Sequence, residues 1–225
     1  MECICTKCGG RRSHSILKEV EKNVVEPDEL WWEDYKYQII QCDGCKDITF
    51  RRMYSDAQIA QYADGDDRWS ETLYPLRTFH TRKAKNISHF PEKLRIIYLE
   101  TIEAFNNKMF ILCSAGLRAL IEGICLDKHI SGKEITRRPG KYLTTLNHKI
   151  DALKAEGILT EGNRLALHEL RFLGNEALHE LNVPDLNDLI IAIDIIEHTL
   201  SSIYDLHMKT RRLKLSSETR SKKEE

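Results

Sequence analysis

The sequence predicts a mostly α-helical protein, in which a bundle of five helices follows a small antiparallel β module. Two patterns lead to this prediction. Beyond residue 91, apolar residues recur at three- and four-residue steps, the spacing of helices with one buried face. Before residue 55, short segments rich in β-branched and aromatic residues alternate with turn-forming residues, as in antiparallel strands. The 225 residues are enough for both parts.

The N-terminal module, residues 1–55, is predicted to contain three strands. They span residues 16–22, 35–41 and 47–54, and turn-prone residues at 26–28 and 43–44 separate them. Residues 56–90 mix acidic, aromatic and basic side chains without periodicity. We interpret them as a connecting segment that is packed by its aromatic side chains.

Five helices are predicted in residues 91–208, at about 91–105, 108–128, 139–156, 160–180 and 184–210. Pro91 suits the first position of a helix, and Gly157 the end of the third. Short connections between successive helices are typical of a bundle. Residues 209–225 are basic and polar, and we expect this tail to be disordered.

The composition is that of a folded protein without strong overall charge. Apolar residues make up 41%, charged residues 31%, and the formal net charge is −1. RNA or DNA therefore stays a candidate partner only through local basic patches. Residues 77–95 contain six Lys or Arg and residues 209–223 contain seven. A solvated linker and a solubilising tail explain these stretches slightly better.

No segment has the pattern of a secretory signal or a membrane span. Residues 1–7 lack an apolar run, and the longest apolar stretches, 109–126 and 186–196, carry charges that suit packed helices. We therefore expect a cytoplasmic protein that makes no membrane contact. In a reducing compartment, paired cysteines indicate metal or redox chemistry before disulfides.

Two C-x-x-C pairs, Cys5–Cys8 and Cys42–Cys45, predict a zinc site. Each pair supplies two thiolates from one tight turn, and four thiolates complete the tetrahedral coordination of structural zinc. The alternatives are two unrelated turns or a redox motif. Gly9, which follows the first pair, and Gly44, which lies inside the second, favour zinc over these alternatives. Cys3 could replace Cys5, but the wider C-x-x-C spacing fits better. We predict one structural Zn²⁺ ion in a zinc ribbon.

Five polar residues on the second and fourth predicted helices form another candidate site. Arg118 and Glu122 are spaced to pair on one face of an apolar helix. Arg171, Asn175 and His179 recur every four residues and, at about 100° per residue, lie along one stripe. The glycine before Asn175 would allow close approach of a neighbouring helix. An inward structural network and a functional site explain this pattern about equally well.

These motifs resemble those of the bacterial family called domain of unknown function 4145, over residues 1–205. The motifs are the N-terminal cysteine pairs, Tyr74-Pro75, Arg118-x-x-x-Glu122 and Arg171-x-x-Gly-Asn175-x-x-x-His179. That family is similar to the HEPN superfamily, many of whose members are metal-independent ribonucleases of toxin and phage-defence systems. The resemblance implies a HEPN-like bundle that forms a homodimer with an Arg and a His at the interface.

The resemblance also implies roles for the polar residues. His179 would be the general acid or base, Arg171 would stabilise the phosphorane, and Asn175 would position the substrate or the imidazole ring. Arg118 and Glu122 would complete the catalytic site. In the ribonuclease members, fewer residues separate the Arg and the His than the seven between Arg171 and His179.

Two functional predictions follow from the resemblance. The first is a nucleic-acid-associated endoribonuclease, independent of metal, in a bacterial defence or mobile-element system. The second is a non-catalytic adaptor that uses the bundle and the zinc ribbon for protein contacts.

Overall fold

The computed structural model describes residues 1–26, 31–63, 65–134, 142–205, 210 and 213. The chain divides into two compact units, Met1–Lys83 and Ala84–Glu225. The predicted start of the third helix at residue 139, most of the predicted turn at 26–28 and nearly all of the tail lie outside the described residues.

The N-terminal unit is built on a five-stranded antiparallel sheet in which each strand pairs with the next. The strands are β1 (Glu2–Ile4), β2 (Arg11–Val25), β3 (Trp32–Cys42), β4 (Ile48–Asp56) and β5 (Ser70–Tyr74). A one-turn helix, α1 (Ile59–Tyr62), and a 3-10 turn (Gly65–Arg68) connect β4 to β5. Cys3, Ile40 and Leu73 form a small buried core.

The fold class predicted from the sequence, mostly α with five helices, is wrong. The N-terminal part is a five-stranded antiparallel sheet rather than a small ribbon, and the described residues form six α-helices rather than five. β2 exposes Lys18, Glu19, Val20 and Glu21 in succession, so the alternation of polar and apolar residues does not reveal its full length. β5 lies in the segment interpreted as a connection, because non-local pairing with β4 rather than local propensity creates it.

The C-terminal unit contains the other five of the six α-helices that the structure describes. They are α2 (Glu92–Asn106), α3 (Phe110–Asp127), α4 (Leu146–Ala155), α5 (Glu161–Asn175) and α6 (Leu186–Leu200). Short π-helical turns, Glu176–Glu180 and Ser201–Asp205, extend α5 and α6. A two-stranded ribbon, β6 (Lys133–Glu134) with β7 (Tyr142–Leu143), precedes α4.

The apolar helix α3 is central to this unit. Its Leu117, Leu120 and Ile124 are fully buried, and α2, α4, α5 and α6 pack against it around one continuous core. The side chains of Thr160 and Asp185 cap α5 and α6 by accepting hydrogen bonds from backbone N–H groups. Among the described residues, no helix has the length and apolar character needed to span a bilayer.

Candidate metal centre and polar cluster

Four cysteine side chains converge where β1, β2, β3 and β4 meet their connecting turns. The Sγ atoms of Cys5, Cys8, Cys42 and Cys45 all lie within 4.8 Å of one another. The Cys5 and Cys45 sulfurs are 3.5 Å apart, and the Cys8 and Cys42 sulfurs 3.9 Å. Tetrahedral zinc with Zn–S bonds of about 2.3 Å places its sulfurs roughly 3.8 Å apart. The four cysteines can therefore hold a metal ion.

The two cysteine pairs lie in turns of the same geometry. The N–H of the residue after each pair donates to the carbonyl of the first cysteine, Gly9 to Cys5 and Lys46 to Cys42, both at 2.9 Å. The N–H of each first cysteine donates to the carbonyl five residues ahead, at 3.0 and 2.9 Å. Gly9 and Lys46 both have a positive φ, +73° and +61°. This repeated turn directs two thiolates toward one point.

Hydrogen bonds within the cluster shift the pKa values of two of its thiols, Cys8 and Cys42, in opposite directions. Backbone N–H groups of Cys45 and Gly44 lower the pKa of Cys42 to about 6. Hydrogen bonding to the Cys45 side chain raises the pKa of Cys8 to about 12. The cluster therefore holds protons that a bound cation would displace, which couples metal binding to pH.

Cys3, the alternative ligand, lies outside the cluster. It is buried, and its Sγ donates a hydrogen bond to Glu71 Oε1 at 3.3 Å. Burial and the neighbouring Glu71 carboxylate raise the pKa of Cys3 to about 11, which disfavours the thiolate that a metal requires.

Asp47 connects the two turns, a role that sequence reasoning missed. Its carboxylate forms salt bridges with Lys7 in the first turn at 2.8 Å and with Arg77 at 3.2 Å. The hydrogen bond from Lys7 lowers the pKa of Asp47. No local pattern links Lys7 to Asp47, because the pairing of distant strands brings them together.

The helical unit brings only part of the predicted polar set into contact. Arg118 on α3 donates through Nη1 to Oδ1 of Asn175 on α5. Glu122, one turn after Arg118, instead accepts a hydrogen bond from Lys149 Nζ on α4 at 2.7 Å. Lys149 was missed by sequence reasoning, since a single lysine on an amphipathic helix gives no signal of its partner.

Arg171 and His179 have different surroundings. The guanidinium carbon of Arg171 lies 4.1 Å from the centroid of the Phe172 ring, and its buried Nε has no hydrogen-bond partner among the described residues. His179 is exposed and lies in the π-helical turn after α5, so the predicted α-helical spacing ends at Asn175. In an α-helix, each step of four residues rotates the side-chain direction by about 40° around the helix axis. A π turn holds more residues than an α turn, so a step of four residues within it rotates the side-chain direction the opposite way.

The predicted close approach at the glycine before Asn175 is confirmed. A Cβ atom on Gly174 would lie 3.1 Å from Cβ of Arg118 and 3.4 Å from the backbone oxygen of Ser114. Glycine thus lets α5 lie against α3 where Asn175 meets Arg118.

The fold and its two sites define a two-unit protein with a cysteine cluster in a β-sheet unit and a polar cluster in a helical unit. The chain belongs to the family described as domain of unknown function (DUF4145), whose profile matches residues 99–216. That range holds all five predicted polar residues, and the four cysteines precede it. The resemblance was expected to cover residues 1–205, so the match begins later in the chain than expected. No curated protein and no solved structure matches the chain.

Proposed function

We propose that this chain is a HEPN-like, nucleic-acid-associated protein of a bacterial defence or mobile-element system, whose helical unit cleaves RNA without a metal ion. The observation that carries the proposal is a pair of guanidinium groups without a carboxylate partner among the described residues. Arg118 bonds the neutral amide of Asn175, Arg171 lies over the Phe172 ring, and Glu122 is paired with Lys149. Unneutralised guanidinium groups suit the binding of phosphate.

The proposed reaction uses the ribose 2′-hydroxyl as nucleophile. His179 accepts the hydroxyl proton, the 2′ oxygen bonds to phosphorus, and the bond from phosphorus to the 5′ oxygen breaks. In a homodimer, His179 of the second copy supplies the proton to the leaving 5′ oxygen. Arg118 and Arg171 stabilise the charge of the phosphorane, and Asn175 orients Arg118. The products are a 2′,3′-cyclic phosphate and a 5′-hydroxyl.

The longer spacing between Arg171 and His179 has a structural counterpart. The π-helical turn Glu176–Glu180, which contains His179, follows the α-helical turn of Arg171 and accommodates an extra residue per turn. It therefore supports a position for His179 on the side of α5 that carries Arg171.

A non-catalytic adaptor is the second candidate, and a groove with exposed apolar side chains favours it. The groove lies between α5 and α6, has a volume of about 300 Å³, and includes Phe172 and Ile191 in its lining. These two side chains are 49% and 57% exposed. Exposed apolar surface of this kind is typical of protein contacts.

Cleavage of structured RNA by the purified full chain, without added metal, tests the proposal. We expect 2′,3′-cyclic phosphate products and a loss of about 100-fold or more in rate for His179→Ala. His198→Ala is the matched control, since His198 is another exposed histidine, on α6. An adaptor predicts no cleavage by the wild type or by either variant. Undiminished cleavage by His179→Ala would refute the assigned role.

We also propose that the metal ion is zinc and that its role is structural. Four thiolates leave no open coordination position for water or substrate, and the sulfur separations bracket the edge of a zinc tetrahedron. The β-sheet unit has only a small buried core, so a metal ion would contribute much of its stability. The small core therefore supports a structural role.

A further inference from the structure

We infer that one face of the N-terminal sheet binds single-stranded nucleic acid. The rings of Tyr54, Tyr35, Tyr37, Phe50 and Tyr74 form a continuous row across β3, β4 and β5. Successive ring centroids are 5.1, 5.8, 6.0 and 5.9 Å apart. The register puts Tyr35 opposite Tyr54 and Phe50 opposite Tyr74, so all five side chains share one face. We call these five residues the aromatic row.

The aromatic row is open to solvent at one end. Phe50 and Tyr74 are 40% and 43% exposed, and the flanking Ile39 and Val20 on the same face are 42% and 55% exposed. Cross-strand aromatic pairs stabilise a sheet, but the part of each side chain that stays exposed adds no burial to that gain. Contiguous exposed apolar surface indicates a binding site.

Three cations accompany the aromatic row. The guanidinium carbon of Arg52 lies 6.0 Å from the centroid of the Tyr74 ring, and Lys22 Nζ lies 5.7 Å from that of Tyr35. Lys18 shares this face by its register with β3. Within the described part of the chain, none of the three forms a salt bridge, and the buried Nε of Arg52 has no hydrogen-bond partner. These cations can pair with phosphates.

On β3, β4 and β5, which carry the aromatic row, the acidic side chains of this face lie at the other end. The register also puts Glu2 of the edge strand β1 on this face, through its pairing with Ser13. On the three strands of the row, the described carboxylates are Glu33 and Asp56, which are opposite each other in the register. They accept hydrogen bonds from the hydroxyls of Tyr35 and Tyr54 at 2.7 and 2.8 Å. The end with Phe50 and Arg52 is therefore the one suited to a phosphate backbone.

Exposed rings next to unpaired cations favour single strands over other ligands. Each unpaired base offers a face that can stack on an aromatic ring, whereas a duplex hides its bases between neighbours. A protein partner would cover the same apolar side chains without needing the cations. The inference deepens the proposed association with nucleic acid, yet it requires neither cleavage nor His179.

Fluorescence anisotropy with the full-length, zinc-loaded protein tests the inference. The probes are labelled oligo(U) and oligo(dT) of about 12 nucleotides and a duplex of equal length. Oligo(dT) has no 2′-hydroxyl, so its binding stays measurable whether or not the protein cleaves RNA. We expect both strands to bind, and Phe50→Ala and Tyr74→Ala each to weaken binding about fivefold or more. Arg52→Gln should also reduce the dependence on salt.

Matched controls come from exposed rings outside the strands. Phe79 and Tyr62 are 67% and 84% exposed, so Phe79→Ala and Tyr62→Ala should leave affinity unchanged. Tryptophan fluorescence and zinc content establish that each variant is folded. Equal losses for Phe79→Ala and Phe50→Ala, or a duplex that binds as tightly as the single strands, would overturn the inference. Absence of binding to both strands would also overturn it and would indicate a protein partner for this face.

Discussion

Lys46→Gly should stabilise the N-terminal unit. Lys46 follows Cys45 with a φ of +61°, in the left-handed region that is unfavourable for a residue with a Cβ atom. Gly9 has the equivalent position in the first turn, with a φ of +73°. The left-handed conformation costs about 1–2 kcal/mol in a non-glycine residue, and the extra freedom of glycine in the unfolded chain offsets roughly 0.5–1 kcal/mol. We therefore expect a net gain of about 0.5–1 kcal/mol.

Tryptophan fluorescence during thermal unfolding of the full chain measures this gain. The three tryptophans, Trp31, Trp32 and Trp69, all lie in the N-terminal unit. For a unit of this size, the expected gain raises the midpoint by about 2–8 °C. Lys46→Ala is the control, because it removes the long side chain but keeps Cβ, and Gly9→Ala should lower the midpoint.

A lower midpoint for Lys46→Gly would contradict an unfavourable left-handed backbone conformation at Lys46. An equal rise for Lys46→Ala would also refute it, because the gain would then come from loss of the lysine side chain rather than from the backbone conformation.

Two further predictions concern the helical unit. Gly174→Ala places a Cβ atom 3.1 Å from that of Arg118, so it should lower the free energy of unfolding by about 1–3 kcal/mol. Circular dichroism at 222 nm measures this loss, and an unchanged midpoint would contradict the close contact of α3 and α5. Burial raises the pKa of Asp151, but hydrogen bonds from His168 and Arg164 at 3.0 and 2.9 Å leave it below its ordinary value. The carboxylate therefore stabilises the fold above a pH of about 4, and this benefit is lost as pH falls through the folded pKa. The thermal midpoint of Asp151→Asn should be lower than that of the wild type at neutral pH, and the two midpoints should converge in acid. A difference that stays constant with pH would contradict stabilisation by the ionised Asp151 carboxylate.

The cysteine cluster was predictable from sequence because its information is local. Each C-x-x-C pair specifies one tight turn, and the tertiary structure has only to bring the two turns together. The structure places Cys5, Cys8, Cys42 and Cys45 together as predicted and pairs Cys3 with Glu71 instead. The left-handed conformation of Lys46 was not predictable, since glycine is the residue expected there.

The extent of the sheet was not predictable, because distant pairing creates it. β2 is polar along most of its length, and β5 depends on hydrogen bonds to β4. The partners of the polar residues on the helices were not fully predictable, for a related reason. Spacing identifies Arg118 and Glu122 as neighbours on one helix, but it contains no information about Lys149 on another helix. Periodicity likewise cannot reveal the change from α to π geometry after Asn175.

We propose that Cys5, Cys8, Cys42 and Cys45 bind one structural zinc ion, and metal analysis of the purified full chain tests this proposal most directly. We predict about one zinc ion per chain. Its removal by a chelator should change the fluorescence of the three tryptophans and preserve the helical signal at 222 nm, because metal binding provides folding free energy to the N-terminal unit. Folded protein without zinc, whose tryptophan fluorescence does not respond to a chelator, would contradict the claim.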